Sequence, residues 1–588
     1  MKTILLSFVF AAAAHAAAIA SGAAGNWSNT ATWTGGVVPG NGDTVTIGHA
    51  VTVDTNTTVG HSPAAGDVTA AILTNGSGSL TVATGVTLTV RGDIKLNSDT
   101  MTMEAGSVLE FDASAAGTPS TARYVLQIGT AHNQSPISTL VLNGTSGNRV
   151  TIRSNSGGAN GRITDGAFIN GGHVTATYAD FLRCGDASNY CMRNWSDVFS
   201  LSNVVLTDGG GWSPTVGMAV TDQYTLQNVT FKNTSGTYVF NVTPAAFTSG
   251  WLRIYDSIFD NDVICGACKS IDVKRSIFNR FLTSSTIANL VAWEDVLIHQ
   301  TGTKDGSNQP GTGTIGRTYH YNDSTNGHFL QMSALGGTLD GWIFERGSTA
   351  LDGDCAMLAN PASAGPVNAV TNSLKLPNSN GGSSCAIVSG LGGANTTASM
   401  TKNTVHLGGS VESSGFRCCS SVYAGHAGMF SDGRSNAFWD TSNKGGFKFH
   451  WLSFDTDDIL AAANGNYNGG DPSIMATGQS GKGYELGLTT GTFGVNDLEE
   501  DPKFADQERD MAAWDASLGG PGTAANAITE LKKRNDSDWN PRYNIPDLIN
   551  WVRQGFAPRN LKYATSGHDG GRIGAVPPRI MFGAVVNP

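Results

Sequence analysis

Four short phrases decide the fold: LSNVVL at 201–206, LQNVTF at 226–231, IYDSIF at 254–259 and WEDVLI at 293–298. Each is a strand-forming run broken by one Asn or Asp. The same phrase returns as TYADFLR (Asp180), VTNSLKL (Asn372), TKNTVHL (Asn403) and RSNAFW (Asn436), with looser copies in VKRSIF at Arg275 and LDGWIF at Gly341. From Asp180 to Asn436 the steps are 23, 25, 28, 19, 20, 46, 31, 31 and 33 residues. The step of 46 divides into 27 and 19 if HYNDST at Asn322 is an eroded copy. A period in this range marks a repeat architecture.

The content of the repeat selects among such architectures. Every copy is a β-branched or aromatic run with no amphipathic helical stretch beside it, which makes leucine-rich, ankyrin and helical-pair repeats poor fits. Asn and Asp bond their own backbone and tolerate left-handed geometry, so one polar residue between two short strands makes a compact corner. Stacked corners of this kind resemble the asparagine ladders of right-handed parallel β-helices, the pectate-lyase-like superfamily of secreted polysaccharide-active proteins. A β-sandwich is the competing reading, but hairpin signals such as Asn-Gly are scarce inside the repeat. The fold expected is therefore all-β, a right-handed parallel β-helix or solenoid. It has an N-terminal β cap and a mixed C-terminal cap containing one short helix.

Composition agrees. A chain of 588 residues is too long for one ordinary core, and a solenoid resolves this because its core grows by stacking. With 75 Gly and only 14% charged residues it suits many tight turns between strands. A net charge of −11 argues against nucleic acid as partner, while leaving room for a local basic groove that takes an acidic polysaccharide.

The chain opens with Met-Lys and then ILLSFVFAAAAHAAAIA, a secretion-signal pattern with small-residue cleavage sites ending at Ala16 or Ala20. Secretion to the exterior or cell surface is expected, with the periplasm the other compartment such a leader reaches. No later stretch has 18 uninterrupted apolar residues, so no membrane span is expected, and the protein is expected to be a monomer. The expected divisions are a signal peptide at 1–20, an N-terminal β module with the first coils at 21–165, the β-helix at 166–500 and a capping region at 501–588. Within residues 25–112, WTGG, PGNGD and the strand rhythm resemble the glycine-rich N-terminal module that heads several extracellular β-helix proteins. A capping role for it follows, since the first coil otherwise exposes unpaired backbone. The segment NIPDLINWVRQG reads as a helix, with Asn544 as cap, Pro546 in the first turn and Gly555 as terminator.

Eight cysteines in an exported chain invite disulfides. Cys184 and Cys191 can pin a loop, whereas Cys265 and Cys268 lack a second pair at zinc spacing. Cys355, Cys385 and Cys418 are separated by 30 and 33 residues, matching the local repeat steps, so they should stack on successive coils. Strands in neighbouring coils lie about 4.8 Å apart, within reach of a disulfide, and Cys355 with Cys385 is the pair expected.

That register points to a site. If these cysteines face inward, alternation turns Asp354, Ser384 and Arg417 outward in one column, continued by His320 on one side and by Lys448 and His450 on the other. Four coil spacings, ~19 Å, would accommodate several sugar units. Arg317, Tyr319, Tyr321, His328 and Trp451 flank the column as candidate substrate-binding residues. A lyase acting on a uronate must neutralise a carboxylate, remove the adjacent carbon-bound proton and protonate the leaving oxygen. Arg417 suits the first task, and His320, His450 and Lys448 suit the second. Asp352 and Asp354 offer hard oxygen ligands for Ca²⁺, the one cofactor expected. The same two carboxylates would serve a glycoside hydrolase. A third reading is a non-catalytic adhesin or glycan-binding stalk, because fold does not imply function. Basic and aromatic residues outnumber carboxylates along the column, which places the lyase first.

Overall fold

In the computed structural model the residues described are 17–60, 70–112, 124–128, 138–154, 509–567, 569 and 571–576. Between 168 and 451 they are the residues of the strands and some adjoining turns, among them Val198–Thr207 and Gln223–Lys232. Contacts divide the chain into two units. The first comprises residues 1–198, 204–212 and 233–236, and the second comprises the remainder.

In the first unit, strands join three ladders in rotation. One ladder runs through Ala18–Ala20, Thr44–Ile47, Ala70–Thr74, Asp93–Leu96, Val125–Ile128 and Phe168–Asn170. A second runs through Gly25–Asn26, Ala50–Val53, Ser79–Val82, Thr100–Glu104, Thr139–Asn143 and the first half of His173–Leu182. The third takes Thr57–Val59, Thr87–Val90, Val108–Phe111, Val150–Ser154 and the second half of His173–Leu182. Every one of these pairings is parallel. The alternation seen in the sequence decides the packing, since Leu80, Val82, Leu88, Val90, Leu109 and Ile152 are all fully buried while the residues between them are partly exposed. The WTGG and PGNGD residues are turns between the rungs Gly25–Asn26 and Thr44–Ile47, with isolated bridges from Trp33 to Ser21 and from Asn41 to Gly60. Trp27 and Trp33, 4.8 Å apart edge to face, are buried beside the first rungs. Cys184 and Cys191 form the expected disulfide.

The second unit repeats the scheme. One ladder contains Trp251–Tyr255, Ser270–Lys274 and Asn289–Glu294. The next contains Ile258–Phe259, Ile277–Phe278, Val296–Gln300, Thr318–Asn322 and Ile343–Arg346, then Ser373–Leu376, Thr404–Leu407 and Ala437–Asp440. A third set includes Ser307–Asn308, Leu330–Ser333, Asp354–Asn360, Ser384–Ser389, Val422–Ala424 and Phe449–Trp451. The molecule is thus mostly β with long parallel sheets, compatible with an all-β parallel solenoid.

The corners are left-handed, as the phrase requires. Positive φ occurs at Tyr178, Asn203, Asn228, Asp256, Arg275, Asp295, Arg317 and Gly341, spaced by 25, 25, 28, 19, 20, 22 and 24 residues. Two expected corners move. Asp180 is a ladder residue opposite Thr151, and the turn is made two residues earlier by Tyr178. Asn322 pairs with Gln300 and Arg346 inside a strand, and Arg317 is the corner. Asn372, Asn403 and Asn436 lie outside the described residues.

The tail departs most from expectation. It holds three helices, α1 (Met511–Ser517), α2 (Ala524–Lys532) and α3 (Ile545–Gly555), where one was expected. Their apolar faces lie against the second ladder of the second unit, in one cluster with Ile258, Ile277, Leu297, Tyr319, Tyr321 and Ile343. Asn535 donates to the carbonyl of Asn228 at 3.1 Å, Arg534 reaches Asp256 at 2.9 Å, Asn550 accepts from Arg317 at 3.0 Å, and Arg553 donates to the carbonyl of Gly341 at 2.8 Å. The helical segment therefore reads the corner column directly.

Candidate functional site

Counting from each corner fixes which side chains are available. Three residues past the corner, Phe231, Phe259, Phe278, Ile298, His320 and Phe344 form an inward column of buried side chains. Its phenylalanine rings stack at 5.1 Å. His320 belongs to this column, with no solvent exposure, and its Nε2 meets Gln300 Oε1 at 3.1 Å. Burial holds its imidazole far below the usual range, at about 3. The outward, catalytic placement expected for His320 is corrected: a core histidine cannot meet a polymer.

Two residues past the corner, Ile258, Ile277, Leu297, Tyr319 and Ile343 face outward but are covered by α1–α3. Tyr319 is fully buried and gives its hydroxyl proton to Glu345 at 2.7 Å. Tyr321 is buried in the same cluster and stacks with His299. Arg317 is held by Asp295 at 2.7 Å and by Asn550. These three are thus engaged by the protein itself and do not line an open wall.

Beside this seam, Asp260, Asn279, His299, Thr301 and Lys532 line a recess of about 10 Å³. Burial holds His299 at about 3 and lowers Lys532. Among the described residues His299 Nε2 finds no hydrogen-bond partner. The recess is smaller than the roughly 300 Å³ at which ligand clefts begin.

The neighbouring ladder offers a different surface. In Trp251–Tyr255 and Ser270–Lys274, Leu252, Ile254, Ile271 and Val273 point inward. Trp251, Arg253, Tyr255, Asp272 and Lys274 therefore share the outer face, with Glu294 on the next rung. Trp251, Arg253, Tyr255 and Lys274 are partly exposed and Glu294 is exposed. Arg253 lies over the Trp251 ring at 5.1 Å and is the register partner of Asp272. Tyr255 donates to Asp272 Oδ2 at 2.5 Å. Burial, reinforced by that carboxylate, pushes the Tyr255 phenol up to about 12, so it stays protonated. The other oxygen, Oδ1, is buried and finds no hydrogen-bond partner among the described residues. An unpartnered carboxylate oxygen beside Arg253 keeps a free acceptor site, which the side chains around it cover. The sequence column missed this face because it started from the cysteines, two ladders away. The alternation W-L-R-I-Y followed by S-I-D-V-K was the signal that marks it.

The remaining expected site residues divide in two. Asp354 opposes Ser384, and Cys355 opposes Cys385, as the repeat arithmetic requires. However, His450 opposes Tyr423, which opposes Val388 and then Leu358, four positions along the strand from Asp354 and roughly 13 Å away. Trp451 opposes Ala424. His320 belongs to another ladder altogether. One column containing His320, Asp354 and His450 therefore does not exist. Arg417, Lys448, His328 and Asp352 lie outside the described residues. Among the described residues no three His, Cys, Asp or Glu side chains converge in a group that could hold a metal ion. No helix among them is long and apolar enough to cross a membrane. No known family model matches the chain, and neither a curated protein nor a solved structure does.

Proposed function

We propose that this chain is an exported right-handed parallel β-helix that cleaves a uronate-containing polysaccharide by β-elimination on the Trp251–Glu294 face. The rotation of strands among three parallel ladders supports the architecture, and the leader pattern supports export. The observation that carries the chemistry is the Tyr255–Asp272 pair between Arg253 and Lys274. In this reading Trp251 stacks on a sugar ring and the two cations bind the uronate carboxylate, which acidifies the neighbouring C–H. Asp272 Oδ1, covered in the free protein, is uncovered as the Arg253 and Tyr255 side chains turn toward the sugar and then takes that proton, the carbon–carbon double bond forms, and the glycosidic C–O bond breaks. Tyr255 donates its proton to the departing oxygen and is reprotonated by the Asp272 carboxyl once that group turns its protonated oxygen toward the phenolate, which closes the proton balance.

The test is incubation with a panel of uronate and neutral polysaccharides, reading unsaturated and reducing ends together. Unsaturated ends are expected, and Asp272→Asn, Tyr255→Phe and Arg253→Ala should each lower the rate at least tenfold. Reducing ends without unsaturation would replace elimination by hydrolysis, with Asp272 and Glu294 as the carboxylates. Binding without any product would make the face a glycan-recognition surface.

A further inference from the structure

Among the small-x-small sites at the end of the leader, Ala14-His15-Ala16 and Ala18-Ile19-Ala20 bracket the start of the fold. The fold distinguishes between them. Ala18–Ala20 is the first rung of the first ladder, paired in parallel with Thr44, Val45 and Thr46. Ile19 is buried in the core at 7% exposure. The carbonyl of Ala17 accepts from Thr44 N–H and that of Ala20 from Thr34 N–H, each at 2.9 Å. Ser21 is itself buried, with its N–H given to the carbonyl of Thr46 at 2.9 Å. Removing 17–20 would strip these bonds, bare the edge of Thr44–Ile47 and place a new ammonium on a buried residue.

The other site creates its charge where it is wanted. The nitrogen of Ala17 lies 3.0 Å from Asp43 Oδ1, while Oδ2 of the same carboxylate caps the turn at Gly40 N–H at 2.9 Å. We infer that the leader is cut between Ala16 and Ala17, so that the freed α-ammonium pairs with Asp43 and Ala18–Ala20 remains as the first rung. A terminus paired in this way makes a charge-assisted hydrogen bond. The inference rests on the export reading proposed above.

The full chain should be produced with its own leader in a secreting host, and its N-terminus determined by sequencing and intact mass. Ala17 is the expected first residue. Ser21 would overturn the assignment while leaving export standing, and retention of Met1 would overturn both. The chain begun at Ser21 without a leader should unfold several degrees below the chain begun at Ala17. Equal melting would remove the structural argument for Ala16. Asp43→Asn should lower the melting temperature of the Ala17 form, with the loss shrinking in high salt. A salt-independent loss would refute the ion pair.

Discussion

The left-handed corners place a demand on single residues that side-chain chemistry meets unevenly. Asn228 has φ 55° and its amide bridges Asn203 Oδ1 at 2.6 Å and Asn535 Oδ1 at 2.9 Å. A β-branched residue there has neither the local bonding nor the steric tolerance, whereas Gly meets the conformational requirement alone. Asn228→Val should therefore be less stable than Asn228→Gly by about 1–2 kcal/mol in denaturant unfolding. Asn203, Asn228, Asp256 and Asp295 were legible in the sequence because Asn and Asp announce such turns. Tyr178 and Arg317 were not, since nothing in a phenol or a guanidinium signals positive φ. The buried imidazoles add a pH dependence. Burial holds His320 and His299 at about 3, far below the 6.5 of an unperturbed imidazole. Between those values the unfolded chain carries the extra protons, so stability is complete above about 6.5 and falls as pH drops. His320→Gln should reduce the slope of stability against pH between 6 and 4 by up to about 1.4 kcal/mol per unit. An unchanged slope would show that His320 is protonated in the folded state.

At the scale of elements, the helical segment is a packed layer with its own hub. Asp515 accepts from Gly522 N–H at 2.8 Å, Thr523 N–H at 3.2 Å, Asn526 Nδ2 at 2.8 Å and Tyr543 Oη at 2.7 Å, tying α1 to the start of α2 and to the approach to α3. Burial acts to raise this carboxyl, but the four donors outweigh it and hold it below the usual range. Leu548 of α3 is fully buried in the seam. Leu548→Ala should cost about 2–5 kcal/mol and increase binding of an apolar dye, with the β signal in circular dichroism retained. A loss under 1 kcal/mol would show that the seam is not tightly packed. The covered face had a sequence signal that went unused. After the corners at Asp256, Arg275, Asp295 and Gly341 the motif reads Ile-Phe, Ile-Phe, Leu-Ile and Ile-Phe at 258–259, 277–278, 297–298 and 343–344. Two adjacent apolar residues bury both faces of a strand, so something had to cover the outside. What covers it was not legible, because the helices come from the far end of the chain.

Across the whole molecule, repeat arithmetic transmitted some relations and lost others. A count of residues between equivalent strands is preserved from coil to coil, which is why Cys355 and Cys385 fall opposite each other. A count across connections between different ladders is not preserved, because those connections vary in length, and so His320 was assigned to a column it does not join. The open face of Trp251–Glu294 was hidden for the same reason: its residues relate to one another by register and not by any shared motif.

Asn228 and Asn535 are 307 residues apart in the chain, yet they hold each other's amides. A ribosome finishes the first long before it makes the second, so newly made rungs must wait with an oily seam bare until the last stretch arrives. Contacts of such separation form slowly, and uncovered apolar surface invites clumping in the interval. Maturation of this protein should therefore be limited by a late docking event, and anything that shortens the tail should be punished by poor yield before it is noticed as poor activity.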